Sequence, residues 1–345
     1  MSEHGISAIL ITYQPNMFYL SGFTGTSGFL LVTPNKQWLF TDFRYIEQAR
    51  VQSSIFEIVK VEGGLDYEKA INYLSKEGFF SLAVEEEYLP VKAYKHIKDL
   101  GRDLKIVAAG GIIERIREIK DEKEIEHVAL AAEIADNAFK DVLPLIRPGV
   151  SEFDIGCELE YALRKKGSER IPFTIIVASG YRSALPHGVA TRKIIQENDL
   201  VTIDFGAVYA GYCSDMTRTF VVGKPDKKQT QILELVFQAQ EMAFENIKIG
   251  VDVTTIDSLV RRFFSKHGFG ENFGHGLGHG VGLEVHEKPS LSPKGQGKLR
   301  QGMVFTIEPG LYFKGWGGVR IEDLVVLRNG GPERLTQSAK FLSYH

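Results

Sequence analysis

Two stretches of this 345-residue chain each set a pair of carboxylates on what read as the arms of a hairpin. In the first, Leu200-Val201-Thr202-Ile203-Asp204-Phe205 and Asp215-Met216-Thr217-Arg218-Thr219-Phe220 flank a turn near Tyr209-Ala210-Gly211. A turn centred between Tyr209 and Ala210 would put Asp204 opposite Asp215, with Cβ atoms roughly 5 Å apart. Like charges in direct opposition destabilise a hairpin unless a cation lies between them, and metal pairs in hydrolytic sites sit about 3.5–4 Å apart. Two solvent-facing aspartates are the plain alternative. In the second stretch, Val304-Phe305-Thr306-Ile307-Glu308-Pro309-Gly310 leads through a glycine-rich loop to Gly317-Gly318-Val319-Arg320-Ile321-Glu322-Asp323. A register centred on Gly315 puts Glu308 opposite Glu322. Their apolar neighbours turn both inward, where an isolated carboxylate is very costly. Arg320 is the alternative counter-charge.

Between these pairs lies Phe273-Gly274-His275-Gly276-Leu277-Gly278-His279-Gly280-Val281-Gly282-Leu283-Glu284-Val285-His286-Glu287. Its alternating glycines would ruin a helix, so this is not a helical HExxH zinc signature, and it lacks the order of a phosphate-cradling loop. In extended chain His275 and His279 share a face, and the glycines admit close approach of other backbone or a ligand. A lone core histidine is usually structural; three within a dozen residues of glycine-rich chain point to a site.

Elements of two kinds must hold these groups. The first third alternates short apolar strands (Ala8–Thr12, Phe29–Thr33, Trp38–Thr41, Phe56–Val61, Ser81–Val84, Leu104–Ala108) with helical spacing in Arg44–Val51, Tyr67–Leu74 and Val91–Leu100. This predicts an α/β domain over residues 1–115. The charged run Arg115–Glu124 reads as a boundary, opening a second domain over 116–345. There a long helix presents Ile125, Val128, Ala131, Ala132, Ile134, Ala135, Ala138 and Phe139 and stops before Pro144. Ser151 is a natural N-cap for the next. Further helices are expected at Gln229–Ile247 and at Thr255–His267, the latter ended by Gly268 in a left-handed cap. Helices mixed with Val- and Ile-rich hairpins make this half α+β, with an antiparallel or mixed sheet.

The bulk composition excludes several classes. With 43% hydrophobic and 25% charged residues and a net charge of −3, the chain has no electrostatic footprint of a nucleic-acid binder. Cys157 and Cys213 form no CxxC pair and read as reduced thiols. Met1–Gly5 has no basic leader region, and no apolar run is long enough to span a bilayer. The expected address is the cytoplasm.

Asp204-Phe205-Gly206 with Asp215-Met216-Thr217-Arg218-Thr219, the run His275–His286, Thr306-Ile307-Glu308-Pro309-Gly310 and Val319-Arg320-Ile321-Glu322-Asp323 together resemble the pita-bread metallopeptidases of the creatinase/aminopeptidase type, in their aminopeptidase P and prolidase branch. Tyr19-Leu20-Ser21-Gly22-Phe23-Thr24-Gly25 and Thr41-Asp42-Phe43-Arg44-Tyr45 resemble that branch's smaller N-terminal domain. The resemblance implies a pita-bread catalytic domain holding two divalent metal ions. Asp204 would bind one, Asp215 and Glu322 would bridge both, and His279 and Glu308 would complete the ligand set of the second metal. Glu308 would shuttle a proton to the leaving nitrogen. His286 and His187 would steady the tetrahedral intermediate and the substrate carbonyl, His275 would contact substrate, and Arg320 would orient a carboxylate ligand or meet substrate. Read alone, His187 in Leu185-Pro186-His187-Gly188 is an ordinary loop histidine. Manganese suits so oxygen-rich a set, and one imidazole also admits cobalt or zinc.

The activity implied is removal of a residue in front of proline from peptides, in a homodimer whose N-terminal domain narrows entry. A Xaa-Pro amide is tertiary and conformationally restricted, so it needs a shaped pocket, which Tyr312 could line. A strict Xaa-Pro dipeptidase is the alternative and would need a cation for the substrate carboxylate, for which Lys294 and Arg300 are candidates. A non-catalytic peptide-binding protein of the same fold is the third reading.

Overall fold

The computed structural model describes residues 6–62 and 66–340; Met1–Gly5, read above for a leader, lie outside them. The chain divides into two compact units, residues 1–116 and 117–345.

The first unit is built on a six-stranded sheet with the order β4-β3-β2-β1-β5-β6: β1 Ile9–Ile11, β2 Phe29–Val32, β3 Gln37–Thr41, β4 Glu57–Lys60, β5 Ser81–Val84 and β6 Lys105–Ala108. The β1–β2 and β2–β3 pairs are antiparallel; β3–β4, β1–β5 and β5–β6 are parallel. Helices α2 Ile46–Gln52, α3 Tyr67–Lys76 and α4 Val91–Leu100 fall where the apolar spacing puts them. Two further helices, α1 Gln14–Ser21 and α5 Ile112–Arg117, are not predicted by periodicity. Helix α1 runs Gln-Pro-Asn-Met-Phe-Tyr-Leu-Ser and buries Asn16, so it has no polar face to reveal it.

In the second unit, α6 Glu122–Val142 starts from a capping box in which Asp121 and Glu124 each bond the other's backbone N–H. Helix α7 Glu152–Lys165 begins at Ser151, whose Oγ accepts from Asp154 N. These two helices pack Ala135, Phe139, Ile155 and Leu159 against Val177, Ile203, Phe205 and Phe220, from a three-stranded antiparallel sheet ordered β11-β8-β7. The strands are β7 Ile176–Ser179, β8 Leu200–Phe205 and β11 Met216–Val221. The short β9 Val208–Tyr209 and β10 Tyr212–Cys213 pair at the hairpin tip.

A second core packs α8 Lys227–Asn246 and α9 Val253–Lys266 on another antiparallel sheet, ordered β13-β12-β14-β17-β18. Its strands are β12 Gly278–Gly280, β13 Glu287–Leu291, β14 Val304–Ile307, β17 Asp323–Arg328 and β18 Gly331–Arg334, with β15 Gly310–Phe313 and β16 Gly317–Arg320 as an adjoining ribbon. Gly268 ends α9 at φ 83°, the left-handed cap expected. Among the described residues no helix is long and apolar enough to cross a membrane. Both cysteines are free thiols.

Candidate metal centre

The first hairpin does not have the predicted register. Asp204 lies opposite Thr217, not Asp215, and Tyr209 pairs with Tyr212. The turn is centred on Ala210 and Gly211, both at positive φ (48° and 83°), which a tight two-residue turn between right-twisted strands requires. Asp215 falls in a break between β10 and β11, where the unbroken register sets it opposite Gly206 and Ser214 opposite Ala207. A Cβ on Gly206 would collide with the carbonyl oxygen of Ser214, so only glycine allows the two arms to cross there. Asp204 therefore projects from a strand and Asp215 from the short break between two strands, into the same cavity.

The second hairpin keeps the predicted register: Ile307 pairs with Asp323 and Gly310 with Arg320, which leaves Glu308 facing Glu322 between two ladders. The peptide N–H of each glutamate is bound sideways. That of Glu308 donates to Leu277 O (2.8 Å) and that of Glu322 to Thr217 O (3.1 Å). The histidine strand β12 joins β14 closely because a Cβ on Gly278 would strike the carbonyl oxygen of Thr306.

One cavity of about 480 Å³ gathers Asp204, Asp215, His279, Glu308 and Glu322 together with His187, His275, His286, Tyr312 and Arg320. Asp215, His279 and Glu322 each offer a ligand atom within 4.8 Å of the others, so these three could hold a metal ion. His279 Nε2 lies 3.4 Å from Glu308 Oε1 and 3.6 Å from Asp215 Oδ2. Its Nδ1 faces the carbonyl of Gly280 at 3.1 Å, which can only accept, so the ring proton belongs there and Nε2 is left bare. A bare nitrogen lone pair pointed at carboxylate oxygens is repulsive unless a cation sits between them. Asp204 Oδ1, Asp215 Oδ1 and Glu322 Oε1 are all buried without a hydrogen-bond partner. Unpartnered buried carboxylate oxygens around a bare imidazole nitrogen are the donor set of a cation site, and the residues present fit divalent metal.

The electrostatics agree. Burial and then the charges of Glu322, Asp204 and Glu308 push the Asp215 carboxyl well above its usual range. Burial, Glu308 and Asp204 do the same to Glu322. Burial also raises Glu308, against the opposing pull of His275 and Arg320. Burial lowers His275 and His279, and burial with His279 brings His286 down to about 4. All three imidazoles are thus neutral at neutral pH.

Supporting side chains fix the carboxylates. Thr217 Oγ1 donates to Glu322 Oε2 at 2.5 Å, and Thr306 Oγ1 to Glu308 Oε1 at 3.1 Å. Thr306 stands two residues before Glu308 and Thr217 two after Asp215, a period-two spacing that marks them in the sequence. Arg320 Nη2 donates to Asp204 Oδ2 at 2.6 Å, Nε to Thr217 Oγ1, and Nη1 to Pro186 O and the Tyr312 hydroxyl. Tyr312 in turn meets His275 Nε2 at 3.0 Å, while His275 Nδ1 faces Gly276 O.

The loop carrying His187 is stapled by Glu152, a buried side chain at the start of α7. Its carboxylate accepts from Ser179 N and Oγ, from Arg182, and from Thr191 N and Oγ1, on both sides of that loop. Arg182 also donates to Val189 O. Sequence spacing gives no sign of this staple, since its members come from three separate segments. Arg300, offered above as a carboxylate-binding cation, instead pairs with Glu118 at 3.0 Å on the exterior, and neither it nor Lys294 lines the cavity.

A helix-covered pair of antiparallel sheets with carboxylates and histidine in the cavity between their strands is the pita-bread architecture of metal-dependent peptidases. The sequence pattern of metallopeptidase family M24 matches residues 126–329, that of the creatinase/prolidase N-terminal domain matches residues 1–119, and the chain belongs to family M24. It is 41% identical over 343 residues to a Xaa-Pro dipeptidase of Pyrococcus horikoshii, covering 99% of this chain and 96% of that protein. Among solved structures it resembles the Xaa-Pro dipeptidase from Bacillus anthracis, with a TM-score of 0.95, 43% identity and coverage of 99% and 96% of the two chains. It also resembles the X-Pro aminopeptidase from Thermotoga maritima, with a TM-score of 0.91, 39% identity and the same coverage.

Proposed function

We propose that this chain hydrolyses the amide bond between an N-terminal residue and proline, using two divalent cations held by Asp204, Asp215, His279, Glu308 and Glu322. The observation that carries it is the bare Nε2 of His279 among unpartnered buried carboxylate oxygens. Manganese suits this oxygen-rich set best, with cobalt or zinc compatible with its single imidazole. Bound cations supply the positive charge that acidifies a water and draws electron density from the scissile carbonyl.

The protein's own groups do the rest. Glu308, raised by burial, takes the water proton on its carboxylate as the water oxygen adds to the carbonyl carbon. It hands that proton to the proline nitrogen as the C–N bond breaks. His286 and His187 line the same cavity and stabilise the oxygen that gains charge. Both the neutral state of His286 and its position beside His279, with rings 4.2 Å apart, suit a hydrogen-bond donor rather than a base. Arg320 aims the Asp204 carboxylate by its hydrogen bond to Oδ2, and through Tyr312 it holds His275 against the substrate. Phe173, Ile176, Pro186, Val189 and Val285 give the cavity an apolar wall on which a proline ring packs without polar loss.

Peptides longer than two residues are the primary substrates in this reading. Among the described residues Arg320 is the one lysine or arginine lining the cavity, and it already gives four hydrogen bonds. Among the described residues no uncommitted cation therefore waits in the cavity for a dipeptide's carboxylate. Dipeptidase action is the second reading, favoured by the dipeptidases of Pyrococcus horikoshii and Bacillus anthracis. The reading also includes a cytoplasmic homodimer. Hydrolysis of Gly-Pro, Ala-Pro and longer Xaa-Pro peptides with added manganese tests it: longer peptides should be cut with the higher kcat/KM. Cleavage of dipeptides alone selects the second reading, and no turnover by fully metallated protein rejects both.

A further inference from the structure

Gln240 sits on the apolar face of α8, between Val236 and Ala243, and is 1% exposed. A leucine there would complete the core with no polar atom to bury. Instead its amide Nε2 donates to the carbonyl of Ile307 at 3.0 Å and to that of Ile321 at 3.1 Å. Chemistry fixes this orientation, because both neighbours can only accept and the nitrogen must face them. The amide oxygen is then buried with no partner, so the side chain is retained at a desolvation cost.

Ile307 and Ile321 immediately precede Glu308 and Glu322, at the gap between the two ladders of the second hairpin. The carbonyl of Ile307 and the N–H of Glu308 belong to one rigid peptide plane. Gln240 holds that plane at its oxygen and Leu277 O holds it at its N–H. The plane joining Ile321 to Glu322 is held in the same way, by Gln240 and by Thr217 O. One amide therefore fixes the orientation of both planes from which the two glutamates project. Without it, each plane would lose a hydrogen bond at its oxygen, and only the Ile307 plane would keep a neighbouring ladder pairing, with Asp323.

We propose that Gln240 is a positioning residue for the cation centre, setting the mutual geometry of Glu308 and Glu322 through their backbone. This rests on the reading that those glutamates bind cations. Gln240→Met keeps length and volume and removes both donors. Titration calorimetry of manganese into the full-length chain should show affinity weakened by about 10–100-fold, the usual effect of losing a group that orients metal ligands. The chelated Met variant should melt no lower than chelated wild type, because the orphaned oxygen goes with the donors. Gln240→Glu places acceptor oxygens against two carbonyls and should weaken binding further at alkaline pH; it keeps the test alive if the Met variant does not fold. Manganese affinity equal to wild type in either folded variant overturns the inference alone. A wild-type chain that takes up no manganese overturns the functional reading and this inference together.

Discussion

At Glu322 the requirements of folding and of cation binding have opposite signs. One oxygen accepts from Thr217, the other has no partner, and Glu308, Asp204 and Asp215 surround it. Without cations this is a pocket of mutual repulsion, relieved only by taking up protons. Glu322→Gln removes one acid while keeping the shape. The variant should melt higher than wild type when both are chelated, at about 2–4 °C for each kcal/mol of repulsion relieved. With manganese the order should reverse, because the variant has lost a ligand. Its kcat/KM should fall by at least about 10²–10³-fold, the scale of one lost electrostatic element in a water-excluded site. Melting curves with and without chelator decide it; a variant less stable in both states would mean that Glu322 is held by ordinary packing.

The elements that carry these groups are fastened by buried charges that sequence spacing does not reveal. Glu287 opens β13 directly after His286 and pairs with Arg117 and with Lys120, all three side chains buried. The charged run Arg115–Glu124, read as a boundary, is thus partly an anchor. Burial alone would raise the Glu287 carboxyl, but Lys120 and Arg117 more than offset it and leave it below its ordinary value. A depressed carboxyl stabilises the fold above the unfolded carboxylate range and loses that contribution as pH falls through its folded value. Glu287→Gln should therefore cost about 3–5 kcal/mol at neutral pH, as breaking a buried pair does, and progressively less in acid. Urea midpoints across that range read the gap between wild type and variant; a gap independent of pH would place the loss in packing. Helices with a clear apolar stripe, such as α3 and α8, were legible from spacing, and so was the register around Gly315. Helix α1 was not, because its buried Asn16 and apolar neighbours erase the stripe. The first hairpin's register was misread because Ala210 adopts a positive φ that its residue type does not announce. Of the twelve side chains singled out, ten, Tyr312 included, line one cavity, and Lys294 and Arg300 do not. The Glu152 staple and the Gln240 clamp stayed hidden, since each joins segments far apart in sequence.

Across the second unit, the proposed ligands come from both of its cores. Asp204 and Asp215 belong to the hairpin packed under α6 and α7, whereas His279, Glu308 and Glu322 extend from strands packed under α8 and α9. Cations held between them, as proposed, would bind the two cores to each other across a line that otherwise carries like charge. Ligand binding to the folded state at a hundred times Kd adds about 2.7 kcal/mol of stability. Here that gain should be concentrated where the strands end in ligands. On adding manganese to chelated protein, amide hydrogen exchange should slow most in residues 203–217, 277–280 and 306–323, the segments whose backbone N–H groups lie beside the carboxylates. The outer strands β6 and β18 carry no proposed ligand and should exchange at unchanged rates. Protection spread evenly over all strands would mean that the metal acts on global stability alone, and protection absent from the ligand segments would place the metal elsewhere on the chain.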